Sequence, residues 1–160
     1  ASLLRAGKLK PDLPEAWGTM AELELKNNRI NLAAQHLEQA LRLQSGETRW
    51  RLVQARILNR QDRAEQAATT LLALTEAERR KPEVLGLLSE SYGLLGKPGE
   101  AGAAYAQAFR ASPDKAEFAY QAALWFERAK DVARAREMAR AAGMMGHADA
   151  RELEVRLATP

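Results

Sequence analysis

Apolar and small residues recur along this chain in paired stripes. Between residues 82 and 115, Leu85, Leu88, Ser89 and Tyr92 stand at offsets 4, 7, 8 and 11, followed by Ala101, Tyr105 and Ala108 at offsets 20, 24 and 27. Each set has the spacing of one face of an α-helix, so the stretch predicts two amphipathic helices packed on each other. Small residues at offsets 8, 20 and 27 let the backbones approach, and bulky ones at 4, 11 and 24 fill the space between them. Gly96 at offset 15 supplies the turn, and Pro113 at offset 32 stops the second helix.

The same stripes return at an interval of 34 residues. Residues 14–47 carry Trp17, Met20, Ala21, Ala33, Leu37 and Ala40 in these slots, and residues 48–81 carry Ala55, Leu58, Ala67, Leu71 and Leu74. Residues 116–149 carry Ala122, Ala123, Phe126, Ala135, Ala139 and Ala142. The pattern resembles the tetratricopeptide repeat, a 34-residue helix-turn-helix unit. The resemblance implies an all-α fold, a right-handed superhelical solenoid whose core runs along its length without an internal boundary. Residues 1–13 read as the second helix of a preceding repeat and residues 150–160 as the start of a further helix or cap, so the chain is expected to be an excerpt from a longer array.

Some slots depart from the pattern. Offset 4 holds Arg51 and Ala119, with the aromatic moved one place earlier to Trp50 and Phe118. Offset 15 holds Asn28, Asp62, Gly96 and Lys130. Lysine is poorly suited to positive φ, and slightly rotated helices rather than a different fold are expected at these departures.

Composition agrees with helix-on-helix packing: 46% of the residues are hydrophobic and only 6% aromatic. The absence of cysteine rules out disulfide and thiol chemistry and leaves both cytosol and periplasm open, with the periplasm slightly preferred. No apolar run is long enough to span a membrane. The net charge of +3 excludes little, but arginine supplies 17 of the 24 basic residues, a bias that suggests a GC-rich bacterium.

Enzyme signals are weak. His36 and His147 have no companions at metal-ligand spacing, so no metal site or cofactor is expected, and no serine lies in a G-x-S-x-G frame. Gly93, Gly96, Gly99 and Gly102 do not form a phosphate loop, because two residues separate Gly93 from Gly96 and Pro98 follows Lys97. No catalytic residue is assigned.

The resemblance also implies a binding surface, since first helices of such arrays line a concave groove through offsets 2, 5, 9, 12 and 13. Among those slots Gly86, Gly93, Leu94, Tyr120, Leu124 and Arg128 are taken as a partner-binding groove. Gly86 and Gly93 either leave room beside exposed apolar side chains or merely ease neighbouring helices together, with Tyr120 packing along its own helix. Arg49, Arg56 and Arg60 share another helical face, which reads either as an anion site or as part of an ion-pair ladder with Glu15, Glu22, Glu83 and Glu90. The clamp that some family members use for chaperone tails is missing: its slots hold Gly18, Glu22, Val53, Glu83 and Leu87.

The expected function is a non-enzymatic protein–protein interaction scaffold that binds a partner segment in its groove. Exopolysaccharide export, pilus assembly and cytochrome maturation are the expected bacterial settings. The alternatives are binding of an acidic polymer through the arginine face, and a structural spacer or oligomerisation module that associates through uncapped ends.

Overall fold

The turn inside each helix pair is built the same way throughout. In the computed structural model, which describes residues 13–158, the backbone takes positive φ at Asn28, Asp62, Gly96 and Lys130, each 34 residues from the next. At each of these turns the following amide bonds back across a six-residue turn: Arg29 to the Glu24 carbonyl, Arg63 to Leu58, Lys97 to Tyr92 and Asp131 to Phe126, at 2.8–2.9 Å. A left-handed residue followed by this bond is the Schellman ending of a helix. Lys130 takes φ 60°, because the same two backbone bonds hold it there whatever its side chain prefers.

The described residues form ten helices. The first unit of the chain, up to Leu74, contains α1 (Pro14–Lys26), α2 (Ile30–Leu43), α3 (Thr48–Arg60) and α4 (Ala64–Leu72). The second, from Thr75, contains α5 (Glu76–Arg79), α6 (Pro82–Leu94), α7 (Pro98–Ala111), α8 (Ala116–Arg128), α9 (Val132–Met144) and α10 (Ala150–Ala158). The helices beginning at Pro14, Thr48, Pro82 and Ala116 all have 13 residues. Proline opens two of them, where its missing N–H costs nothing.

The sequence pattern suggests no internal boundary, yet the chain groups into two compact units divided after Leu74. Helix α4 stops after nine residues, whereas α2 and α7 each have 14. The short helix α5 follows, locked at its start by Thr75 and Glu78, which cap each other's backbone amides. The segment assigned to a preceding repeat lies, apart from Leu13, outside the described residues.

Within the first unit, Ala21, Ala33 and Ala40 are fully buried and bring α1 and α2 together around Leu37, Trp50, Val53 and Ile57. Trp50 is 1% exposed, and an aromatic buried to this degree removes roughly 150–250 Å² from water. In the second unit, Ala122, Ala123, Ala135 and Ala139 play the small-residue part around Phe126, Leu153 and Leu157. Ser89 is fully buried, and its hydroxyl donates to the Ala101 carbonyl at 2.9 Å, tying α6 to α7 where a larger residue would hold them apart. No described helix is long and apolar enough to cross a membrane.

Candidate functional site

The six residues of the expected groove all lie in the second unit, on α6 and α8. Gly86, in the middle of α6, has open space where a side chain would project, as the sequence suggests. Gly93 does not. The indole of Trp125 fills that volume and lies directly on the α6 backbone. The Arg128 guanidinium covers the same indole at 4.6 Å from the ring centroid. The indole thus touches both the α6 backbone and a guanidinium, and a cation over a tryptophan ring is attracted by its quadrupole. Beside them Leu94 ends α6 with 54% of its surface exposed.

Farther along α8, Tyr120 and Leu124 are half-buried and pack against the cluster around Phe126, Leu153 and Leu157. The Tyr120 ring also stacks on His147, with centroids 4.1 Å apart and planes 18° from parallel. The His147 Nε2 atom reaches a Glu117 carboxylate oxygen at 2.8 Å, and its Nδ1 accepts the Asp149 amide at 3.3 Å. Burial works to raise the Glu117 pKa, but the bonds from Gln121 and His147 outweigh it and leave the group below its ordinary value. Burial raises the Tyr120 phenol, and the nearby Asp149 carboxylate adds to the effect.

Trp125 was not among the residues singled out from the sequence, because it falls between the usual groove offsets. A signal for it existed. A glycine inside a helix sacrifices stability relative to alanine and marks a close approach. Gly18 and Trp50 in the first unit show the same device, with the indole seated where a Gly18 side chain would stand.

The three arginines on α3 do not act as one free cluster. Arg49 grips the Glu22 carboxylate with two bonds of 3.0 and 2.6 Å, and its guanidinium lies 4.8 Å from the Trp50 ring centroid. Arg60 donates to the Asn28 side-chain oxygen. Arg56 is exposed and has no partner among the described residues. The Arg49–Glu22 pair is a diagonal rung of the expected ladder, joining α3 to α1. Among the described residues no group of histidines and carboxylates could hold a metal ion.

Comparison with curated proteins gives no match. The chain is similar in structure to several solved helical-repeat proteins. One is pilF of Pseudomonas aeruginosa, 22% identical with a TM-score of 0.80, the match covering 98% of this chain and 72% of that one. Another is YrrB, described as a TPR protein with an unusual peptide-binding site, 14% identical with a TM-score of 0.76 and covering 98% and 82%. A third is a chain of the APC/C hetero-tetramer Cut9-Hcn1, 14% identical with a TM-score of 0.78; the match covers 98% of this chain but only 32% of that one. At these identities the likeness speaks for the fold, an all-α helical repeat solenoid. In sequence, tetratricopeptide repeat family models match residues 25–90 and 82–115, together more than half of the chain. With the 34-residue spacing of its turns, this makes the chain a member of the tetratricopeptide repeat family.

Proposed function

We propose that this chain is a non-enzymatic scaffold that binds a segment of a partner protein on the face carried by α6 and α8. The observation behind this reading is the Gly93, Trp125 and Arg128 stack beside the exposed Leu94. Tryptophan, tyrosine and arginine held rigidly in place are the residue types that dominate interface energetics. Because the indole already contacts the α6 backbone and a guanidinium, a partner would lose little free energy in ordering it. From Arg128, Leu124 and Tyr120 continue the stripe one and two turns back along the helix, and Gly86 leaves an open floor on α6.

The setting we propose is a bacterial envelope assembly or export system, with exopolysaccharide export, pilus assembly and cytochrome maturation as the leading cases. The arginine-rich composition and the structural likeness to pilF support this setting. The arginine face of α3 is the weaker surface for an acidic polymer, since Arg49 and Arg60 are already engaged.

Affinity capture from a bacterial lysate tests the reading, with the captured protein then purified and its dissociation constant measured directly. Leu94→Glu and Arg128→Glu should each weaken the purified complex while circular dichroism stays unchanged. A complex that tolerates both changes and is lost instead with Arg49, Arg56 and Arg60 would reject the α6–α8 face.

A further inference from the structure

The first unit holds a cavity of about 470 Å³ framed by three consecutive helices, α2, α3 and α4. Its floor is apolar: Ala34, Leu37 and Leu41 come from α2, and Ile57 and Leu58 from α3. Its rim is polar, with Glu38 and Arg42 on one side and Arg63, Gln66 and Thr70 on the other. A space of this size lies in the range that takes a small molecule.

Two repeat intervals later α7, α8 and α9 occupy the positions of α2, α3 and α4, and there the chain closes the equivalent volume itself. Phe126 stands where the first unit has Leu58; its ring is 2% exposed and lies on the backbone of Gly102, the counterpart of Ala34. Arg134, the counterpart of Gln66, sets its guanidinium 4.3 Å from the centroid of that ring. Tyr105 and Met138, where the first unit has Leu37 and Thr70, pack against the same cluster. The groups that fill this volume belong to α7, α8 and α9 themselves. The cavity between α2, α3 and α4 therefore comes from smaller side chains, and its shape is that of a missing aromatic ring.

The charge of the rim is unbalanced. Its lining carries two guanidiniums, Arg42 and Arg63, and one carboxylate, Glu38. Arg42 donates to Glu38 at 2.8 Å, which accounts for one of each sign. Arg63 is held by the side-chain oxygens of Gln61 and Gln66, neutral partners that position the guanidinium without cancelling its charge, and no carboxylate of the described residues reaches it. An apolar floor with one uncompensated cation at its edge selects a ligand with an apolar body and a single negative charge.

We propose that this cavity binds a small aromatic carboxylic acid, its ring seated among Ala34, Leu37 and Leu58 in the place that Phe126 takes in the second unit, and its carboxylate on Arg63. Burial of the ring supplies most of the affinity, since an apolar cavity that no side chain fills accepts an aromatic ring from outside. The exposed ion pair supplies orientation and a smaller share of the binding. The site uses other helices than the α6–α8 face and is independent of partner binding there.

Calorimetric titration of the whole chain with 3-phenylpropionate and indole-3-propionate tests this, with amide chemical shifts locating the site. Saturable binding at one equivalent is expected, with shifts concentrated on α2, α3 and α4. The primary amide of each acid should bind about three- to fivefold more weakly, the size that an exposed ion pair allows. Arg63→Gln should bring acid and amide to equal affinity. Leu58→Phe with Thr70→Met, the side chains of the second unit, should abolish binding of both and raise the melting temperature as the cavity fills. Ala34→Met enters the cavity from α2 and carries the same expected loss if the double variant does not fold. No saturation by either acid up to about 10 mM would overturn the proposal. So would equal binding of acid and amide by the parent chain, or binding that survives in the filled variants. Hexanoate binding as tightly as 3-phenylpropionate would reject recognition of a ring, and tighter binding of an acetylated peptide ending in phenylalanine would assign the site to a partner's C-terminus instead of a free acid.

Discussion

The indole of Trp50 rests on the bare backbone of Gly18, in the volume a side chain there would need. Gly→Ala inside a helix ordinarily stabilises by about 0.5–1 kcal/mol, but overpacking a filled site costs about 1–3 kcal/mol. With Trp50 only 1% exposed and unable to swing away, the second effect wins. Gly18→Ala should destabilise by about 1–2 kcal/mol. Gly86→Ala, where nothing stands within 4 Å, should stabilise by about 0.5–1 kcal/mol. Opposite shifts in urea midpoint for two identical substitutions are the result to look for.

Lys130 stands at φ 60° in a turn whose counterpart in the preceding helix pair is Gly96. The left-handed conformation costs an L-residue about 1–2 kcal/mol, and glycine's own loss of backbone freedom returns part of that. Lys130→Gly should therefore stabilise by about 0.5–1 kcal/mol. In a chain of this size that raises the melting temperature by about 2–4 °C per kcal/mol, which calorimetry resolves.

Ser89 joins α6 to α7 through its bond to the Ala101 carbonyl. Ser89→Ala removes the bond but keeps the small volume, and should cost about 0.5–1.5 kcal/mol. Ser89→Leu must also push the helices apart and should cost about 1–3 kcal/mol or more. If the leucine variant were as stable as the alanine variant in chemical denaturation, close approach at this position would not matter.

Acid should loosen the contact between α8 and α10. The Arg156 guanidinium donates two bonds of 2.9 Å to Glu127 and, against a smaller effect of burial, holds its carboxyl below the ordinary value of 4.5. A folded-state pKa below the unfolded one means the stabilisation is complete above about pH 4.5 and is lost as pH falls through the folded value. Glu127→Gln should lower the melting temperature at neutral pH and match the parent once the carboxyl is protonated. A difference that persists unchanged into acid would separate the effect from this pair.

Much of the fold was legible because it is local. Helix stripes and the 34-residue interval depend on residues close in sequence, so Leu85, Leu88 and Tyr92 could be placed on one helix face without coordinates. At Lys130 local preference argues against positive φ, but backbone bonds to Glu127 and Phe126, of the kind found at the other turns, decide the conformation. The division after Leu74 was missed for a related reason: shortening α4 leaves the apolar periodicity of its neighbours intact.

The expected groove residues could be named from offsets, but their surroundings could not. Offsets tell which way a side chain leaves its own helix and nothing about what reaches it from another. That is why offsets leave Gly93 open between a groove floor and a close helix approach, while Trp125 fills it, and why they give no hint of the stack of Tyr120 with His147. By itself the sequence determined the all-α repeat class, the helix faces and the positions of the turns, because periodicity and backbone propensity act over a few residues. Only the tertiary structure decided which glycine is filled and which arginines are engaged, because those outcomes depend on side chains from helices about 30 residues apart meeting at a common surface.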